Sequence, residues 1–276
     1  MLGRDSIDGK GMPLQSTAHF GTNFNNAYWD GQHMTYGDGD GKVFSPLSGA
    51  LDVVAHEMTH GVTERTSGLR YANQPGALNE SWSDVFGELI EQWHERPKTF
   101  NSVEGARQGD WLIGEDVFTP GKPGDALRSL KNPGTAYKGD PQPATMADYR
   151  KMTDDNGGVH INSGIPNKAA YEVAIRLGGE KTAKIWYKAM TDYLRDNAQF
   201  SDAANATLSA ARDLFHDGSE VQAVRDAWTS VGLTPKLVEA IGAGKQVPTH
   251  VHTEQGAEGG IVPTWLRNGV AAPTLA

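Results

Sequence analysis

The sequence contains no cysteine among its 276 residues. This absence excludes disulfides, cysteine nucleophiles and metal sites built on thiolates. The chain also has no apolar run approaching the roughly 18 residues that a membrane-spanning helix needs. Its first eight residues lack the apolar stretch of a secretory signal, so we expect no signal peptide in this chain.

Positive charge is scarce, because 25 Lys and Arg residues stand against 34 Asp and Glu residues, which gives a net charge of −9. An acidic surface disfavours a nucleic-acid backbone or an anionic membrane as the main partner. It leaves carboxylates available for hard cations such as calcium. The hydrophobic share of 38% and the charged share of 21% are typical of a globular domain.

Three regions differ in composition and periodicity. Residues 1–48 combine short β-prone pieces with turn signals and predict part of a β-rich N-terminal domain. Residues 49–235 predict an α-helical catalytic domain, which opens with one helix ending near Gly68 and a second over about 77–95. Residues 236–276 are rich in Gly and Pro and predict a flexible tail. We therefore expect an α+β fold, with a cleft between the β-rich part and the mainly helical part.

A metal-binding pattern, His-Glu-x-x-His, occupies residues 56–60 in the first predicted helix. On a helix, residues four apart differ by about 40° around the axis, so His56 and His60 can reach one cation. Glu57 lies about 100° from His56 and can sit beside the metal without ligating it. The alternative interpretation is a pair of hydrogen-bonded structural histidines.

Catalytic zinc needs a third protein ligand and an open position for water. Glu80 is the candidate, near the start of the second predicted helix. Asp84 lies one turn further on the same face and can accept the outer N–H of a ligand histidine. A solvated acidic helix face is the alternative, but the neighbouring Trp82 and Phe86 indicate a buried helix, in which a carboxylate needs a partner.

The pattern His-Glu-x-x-His followed by Glu-x-x-x-Asp resembles that of the thermolysin-like neutral zinc metallopeptidases. Residues 25–29, 36–41, 49–55 and 157–164 also resemble segments of this family, in the family's order. The resemblance runs from about residue 4 to about residue 235. Within the family, the chain resembles the protealysin-like members. Its first residues correspond to the middle of the family's β-rich half, so we expect a shortened N-terminal domain.

The resemblance implies a zinc-dependent endopeptidase with one catalytic zinc ion on His56, His60 and Glu80. Glu57 would be the general base, and Asn79 and Asp84 would support the ligands. The resemblance further implies three residues that act on the reacting carbonyl: Tyr71 and His160 as donors, and Asp155 orienting His160. Without the family, His160 would be an ordinary histidine of a turn-rich loop.

The resemblance also implies a substrate site. Asn26 and the carbonyl of Ala27 would align an extended peptide along an edge strand, and Arg128 would bind a substrate carbonyl. Four apolar residues would line the pocket after the scissile bond, which favours a bulky hydrophobic residue there: Phe44, Leu47, Val53 and Leu127. Plain core packing is the alternative interpretation of these four side chains.

Structural calcium is the second metal that the resemblance implies. Four carboxylates match calcium positions of the family: Asp52, Glu91, Asp110 and Glu115. Leu112 stands where members with two calcium ions carry an acid, so we expect one ion. Residues 38–41 (Asp-Gly-Asp-Gly) resemble the start of an EF-hand, but Gly49 at its twelfth position excludes that loop and favours a turn.

Two other enzyme or binding classes remain open. An inactive zinc-binding homologue would have lost a catalytic residue, whereas Glu57, Tyr71 and His160 are all present. An aminopeptidase would need an acidic anchor for a free amine, which the sequence neither assigns nor forbids. We expect peptide and protein substrates, a propeptide or inhibitor outside this chain as a further partner, and an extracellular location by family habit.

Overall fold

The computed structural model describes residues 2–216, 218–241 and 260–267. Three short strands come first, as expected from the sequence, and the mainly helical remainder contains two further short strands between its third and fourth α-helices. In chain order they are β1 (Ser16–Thr17), β2 (Ala27–Trp29), β3 (Met34–Tyr36), α1 (Leu51–Glu64), α2 (Asn73–Glu95), α3 (Val103–Gln108), β4 (Leu112–Ile113), β5 (Arg128–Ser129), α4 (Asp154–Asn162), α5 (Gly164–Leu177), α6 (Gly179–Asp192), α7 (Phe200–Phe215), α8 (Ser219–Ser230) and α9 (Thr264–Arg267). None of these helices is long and apolar enough to cross a membrane.

The N-terminal part forms a three-stranded sheet in the order β1-β3-β2. Strand β1 runs parallel to β3, whereas β2 runs antiparallel to it, with Tyr28 opposite Thr35. Because β2 stands at the edge of the sheet, its outer side can accept another extended segment. A second sheet of two antiparallel strands, β4 and β5, follows α3.

Helices α1 and α2 pack together and form the centre of the molecule. Gly87 permits this packing, because a Cβ atom there would lie 2.7 Å from the backbone oxygen of Asp52. Trp29 ties the sheet to α1 by donating a hydrogen bond of 2.8 Å from Nε1 to Glu64 Oε2. The β-rich part and the helical part therefore meet at α1, as the sequence predicted.

Helix bounds differ from the sequence pattern in three places. Helix α1 ends at Glu64, one turn before the expected end near Gly68. Helix α2 begins at Asn73, one turn before the expected start near Ala77. The segment labelled α4 begins with residues 155–158 in left-handed conformations, with φ between 51° and 84°. Two of these four residues are glycines, which adopt positive φ without strain. The turn-rich segment is thus a tight bend that leads into a single helical turn carrying His160.

Both described pieces of the C-terminal tail contact the rest of the chain, which differs from the flexible tail that we expected. The backbone N–H of Val238 donates to Ser209 Oγ at 2.8 Å, and that of Ile241 donates to the carbonyl of Asp192 at 2.8 Å. Residues 260–267 lie in the cleft between the edge strand β2 and the helical part. Residues 242–259 and 268–276 lie outside the described residues.

Candidate metal centre

Three potential metal ligands converge between α1 and α2. The Nε2 atoms of His56 and His60 lie 2.9 Å apart. Glu80 of α2 faces both rings, with Oε2 at 3.5 Å from His56 Nε2 and Oε1 at 3.4 Å from His60 Nε2. All three side chains are buried. The four-residue spacing on α1 and the close packing of α2 therefore bring together the ligand set that the sequence predicted.

The outer nitrogens of both rings face hydrogen-bond acceptors. His56 Nδ1 lies 2.9 Å from Asp84 Oδ1, and His60 Nδ1 lies 2.8 Å from Asn79 Oδ1. Asn79 is itself fixed because its Nδ2 donates to the carbonyl of Leu69 at 3.0 Å. A proton on each Nδ1 leaves the lone pair of each Nε2 to ligate a metal.

The protonation states suit a metal centre. Burial and the neighbouring His56 lower the pKa of His60 to about 4, which keeps this ring neutral near pH 7. Burial would raise the pKa of Glu80, but the charges of His160 and His56 lower it overall. Glu80 Oε2 is buried with no hydrogen-bond partner among the described residues. Two imidazoles and one anionic carboxylate match the donor set of catalytic zinc.

Glu57 is fully buried beside this site. Neither carboxylate oxygen accepts a hydrogen bond of ordinary geometry from the described part of the chain. Burial and the charge of Glu80 raise the pKa of Glu57 well above its usual value, while Arg128 and the backbone amides of Ile261 and Trp29 oppose that rise. A carboxyl group in this environment can accept a proton and give it back.

Three more residues approach the ligands from the far side of the cleft. The hydroxyl of Tyr71 donates to Glu80 Oε1 and lies 3.2 Å from His160 Nε2. His160 Nδ1 lies 2.6 Å from Asp155 Oδ1, and its backbone N–H donates to Asp155 Oδ2 at 2.9 Å. Burial would lower the pKa of His160, but Glu80 and Asp155 raise it overall. Asp155 thus orients the ring with Nε2 towards the cleft.

The expected substrate-binding residues lie on the two short sheets and in the hydrophobic core. Ala27 is the first residue of the edge strand β2, and Asn26 directly precedes it. Arg128 of β5 donates two hydrogen bonds to Asp84, from Nε to Oδ2 at 2.8 Å and from Nη2 to Oδ1 at 2.7 Å. The four pocket candidates are all buried and belong to one hydrophobic cluster: Phe44, Leu47, Val53 and Leu127.

The sequence did not reveal Asn167 as part of this network. Its Nδ2 donates to Asp84 Oδ2 at 2.8 Å, across a separation of 83 residues. Burial would raise the pKa of Asp84, but Arg128 and His56 hold it well below the usual range. Only the packing of α5 against α2 brings Asn167 to this carboxylate, so no local sequence signal identifies it.

A second acidic site lies at the far end of the α1–α2 pair. Carboxylate oxygens of Asp52, Glu91 and Glu115 lie within 4.8 Å of one another, and Asp110 forms an overlapping group with Glu91 and Glu88. Burial and the other carboxylates raise the pKa of Glu91 to about 9. Glu88 was not among the residues predicted from the sequence, although its spacing of three from Glu91 on α2 is a usable signal.

A histidine pair and a glutamate from two packed helices, beside a fully buried second glutamate, are the arrangement of a metal-dependent peptidase. Comparison with family models agrees with this class. Residues 1–64 match the catalytic domain of the thermolysin metallopeptidases, and residues 67–233 match their α-helical domain. The chain belongs to the thermolysin metallopeptidase family and is a metalloendopeptidase. The expected family, fold class and enzyme class are thereby confirmed.

Individual relatives are similar over most of the chain. A neutral protease, NprE, of Bacillus pumilus is 52% identical over 83% of this chain and 70% of its own length. An extracellular metalloprotease of Pectobacterium carotovorum is 47% identical over 83% of this chain and 67% of its own length. Among solved structures, the precursor of protealysin from Serratia proteamaculans matches with a TM-score of 0.77 and 46% identity, covering 84% of this chain and 72% of that one.

Proposed function

We propose that this chain is a zinc-dependent endopeptidase that cuts peptide bonds on the amino side of bulky hydrophobic residues. The convergence of His56, His60 and Glu80 beside the buried carboxylate of Glu57 carries this proposal. When bound there, zinc would polarise the scissile carbonyl and lower the pKa of a water molecule.

Residues of the chain would transfer the proton, stabilise the developing oxyanion and orient the metal ligands. Glu57 takes the proton from the attacking water and delivers it to the leaving amine, because its buried carboxyl can hold a proton. Tyr71 and His160 donate hydrogen bonds to the carbonyl oxygen as negative charge develops on it. Asp155 stabilises the donor form of His160, and Asp84 and Asn79 keep the two ligand histidines in the tautomer whose Nε2 can ligate.

Arg128 and the edge strand position the substrate. The guanidinium is buried and fixed by Asp84, so its remaining donor can bind a substrate carbonyl at little further entropic cost. Asn26 and the carbonyl of Ala27 hold the peptide in extended form. The buried apolar cluster around Leu127 favours a bulky hydrophobic side chain directly after the scissile bond.

Internally quenched peptides that differ only in the residue after the scissile bond test this specificity. We expect Phe and Leu peptides to have a kcat/KM at least ~10-fold above the Gly and Asp peptides, since each buried methylene contributes about 0.8 kcal/mol. Both termini of the peptides are blocked. Cleavage of blocked peptides supports an endopeptidase, whereas activity restricted to peptides with a free amine would identify the aminopeptidase alternative.

We further propose one structural calcium ion in the acidic site of Asp52, Glu91, Asp110 and Glu115, with Glu88 beside them. Five carboxyl groups from α1, α2 and the segment of residues 110–115 suit a hard cation and repel one another without one. Calorimetric titration of the chelator-treated chain tests the number of ions bound. A stoichiometry of one supports the proposal, and a stoichiometry of zero or two contradicts it.

An extracellular location and a separate propeptide or inhibitor partner remain part of the proposal. Relatives from Pectobacterium carotovorum and Staphylococcus epidermidis are named as extracellular enzymes, and the matched solved structure is a precursor. Immunodetection of the protein in culture supernatant, compared with washed cells, tests the location.

A further inference from the structure

Residues 260–267, called the cleft segment below, lie inside the candidate active site. The side chains of Ile261 and Val262 are 0% exposed and belong to the same hydrophobic cluster as Leu127 and Val53. The chain therefore buries an isoleucine of its own in the cleft, beside Ala27 and Arg128. Isoleucine is a residue of the class proposed for the substrate position after the scissile bond.

The backbone of the cleft segment uses the groups assigned to substrate binding. The N–H of Ile261 donates to the carbonyl of Ala27 at 3.1 Å. The N–H of Val262 donates to Asn26 Oδ1 at 3.0 Å. Arg128 Nη1 donates to the carbonyl of Ile261 at 2.8 Å. The segment thus lies against the edge strand as an added extended peptide would.

One peptide bond of the segment lies at the reacting groups. The carbonyl oxygen of Gly260 lies 2.6 Å from His160 Nε2, which we assigned as a donor to the scissile carbonyl. The bond between Gly260 and Ile261 therefore has its carbonyl oxygen at the proposed oxyanion donor, while the N–H on its other side is held by the carbonyl of Ala27.

Glycine at position 260 is required for this approach. Its φ is +94°, and a Cβ atom there would lie 2.1 Å from the carbonyl oxygen of Ala27 and 2.6 Å from Asn26 Nδ2. A side chain of any size would push the segment away from the edge strand. Gly260→Ala is therefore a minimal substitution that removes the segment from the cleft and leaves the cleft residues unchanged.

The C-terminal end of the cleft segment also forms hydrogen bonds. Asn25 Nδ2 donates to the carbonyl of Arg267 at 3.1 Å, and Arg267 Nε donates back to the carbonyl of Val262 at 2.5 Å. Trp265 and Leu266 pack near Leu127. Contacts on both sides of Ile261 fix the segment in one register, which places a single bond at the reacting groups.

We propose that the chain is its own substrate, that it cuts the bond between Gly260 and Ile261, and that the cleft segment excludes other peptides until this cut. This proposal rests on the proposed endopeptidase function. In the step, the oxygen of water bonds to the carbonyl carbon of Gly260, the C–N bond breaks, and a proton passes to the nitrogen of Ile261. The products are a chain ending in the carboxylate of Gly260 and a peptide of residues 261–276.

The cut would open the cleft because it removes the tether. Before the cut, the segment competes with external peptides at the high effective concentration of an intramolecular ligand. Afterwards the released peptide binds only by its own contacts and dissociates on dilution. The self-cleavage is accordingly first order, with a rate independent of protein concentration, and activity on external peptides rises in step with it.

Intact-mass measurement on the zinc-loaded full chain over time tests the proposal, with a quenched peptide assayed in the same samples. We expect fragments that end at Gly260 and begin at Ile261, together with a lag in peptide hydrolysis. Gly260→Ala and Ile261→Asp should stay uncut at this bond and hydrolyse the quenched peptide without a lag. Leu237→Asp, an exposed tail position outside the cleft, is the matched control and should behave as the unaltered chain.

Two results would overturn the proposal in distinguishable ways. If the unaltered chain hydrolyses the quenched peptide without a lag and stays intact at this bond, self-cleavage is wrong while the endopeptidase function stands. If a folded, zinc-loaded chain cuts neither the quenched peptide nor its own bond between Gly260 and Ile261, both the proposed function and self-cleavage are wrong.

Binding of the cleft segment can be measured by hydrogen exchange in a chain that has no peptidase activity. Amide hydrogen exchange in the metal-free Glu57→Gln chain should be at least ~10-fold slower at Ile261 and Val262 than in the same chain carrying Gly260→Ala. Equal exchange rates in the two chains would show that the segment does not occupy the cleft.

Discussion

Arg128 and Asp84 form a buried, bidentate ion pair, with hydrogen bonds of 2.8 Å and 2.7 Å. The same carboxylate lies 2.9 Å from Nδ1 of the ligand His56. One side chain therefore contacts a proposed metal ligand and also fixes the residue that we propose to bind a substrate carbonyl. Changes at Asp84 should affect zinc affinity and substrate binding together.

Asp84→Asn tests this link. The substitution removes the nearer of the two carboxylates beside the buried Arg128 and leaves only Glu80 Oε2, at 3.9 Å, as a counter-ion in the described part of the chain. Breaking such a buried pair costs up to about 3–5 kcal/mol of stability. We expect zinc affinity to fall about 10–100-fold and KM to rise. Chelator competition and peptide kinetics measure the two effects. Asp196→Asn is the control, because its partner Arg70 is half exposed and such pairs contribute little. An Asp84→Asn chain with unchanged zinc affinity would contradict the link.

Tyr71→Phe tests the donor role of the hydroxyl. Removing one donor to a developing oxyanion typically lowers kcat by about 10²–10³. We expect kcat to fall in this range with KM nearly unchanged, because the hydroxyl acts in the transition state. Tyr187→Phe, which loses only a contact with Arg4, should have normal kinetics. A Tyr71→Phe chain with a raised KM and full kcat would assign the hydroxyl to ground-state binding instead.

Gly87→Ala tests the packing of α1 on α2. The added Cβ would lie 2.7 Å from the backbone oxygen of Asp52, so the helices must separate. We expect a loss of about 1–3 kcal/mol in the free energy of unfolding and weaker zinc binding, since the ligands come from both helices. Gly49→Ala is the control, because a Cβ atom added there would have no described atom within 4 Å. Unchanged urea midpoints for Gly87→Ala would contradict this packing argument.

The acidic site predicts a pH dependence in the metal-free chain. Burial and neighbouring charge raise the pKa of Glu91 to about 9 and that of Glu115 to about 8. The folded state therefore holds protons that the unfolded state has released, so stability falls as pH rises from about 5 to about 9. Thermal unfolding in chelator measures this slope.

Bound calcium should reverse that loss. It adds about 2.7 kcal/mol of stability at a concentration 100-fold above its Kd, and it holds the carboxylates in their charged form. The melting temperature should then change little between pH 6 and 9, a range set by the same raised pKa values. A metal-free chain whose stability rises with pH over this range would contradict the account of the acidic site.

Local sequence signals predicted the parts of the site that lie within one helix. His56, Glu57 and His60 follow from residue spacing on α1 alone, and Glu80 with Asp84 from spacing on α2. The pairing of those two helices needed the family resemblance, because nothing in the spacing says which helix faces which. The β-rich start and the helical remainder were likewise visible in the change of period near residue 48.

Long-range contacts were not predictable in this way. Asn167 reaches Asp84 only through the packing of α5, and Gly260 reaches His160 across 100 residues. The tail is rich in Gly and Pro, and this composition predicted a flexible segment. Composition reflects only local backbone preferences, so it could not predict the long-range contacts that hold residues 260–267. The described tail residues 260–263 are buried because their backbone and an isoleucine side chain match the cleft.

Hydrolysis of a blocked, internally quenched peptide by the unaltered chain and by Glu57→Gln, with zinc content measured in both, tests the central claim most directly. The amide keeps the shape of the carboxyl group but cannot take a proton. We predict equal zinc content in the two proteins, chelator-sensitive cleavage by the unaltered chain, and a loss of at least about 10²–10⁴-fold in Glu57→Gln. Full activity in a zinc-loaded Glu57→Gln chain, or activity that survives complete removal of zinc, would contradict the account.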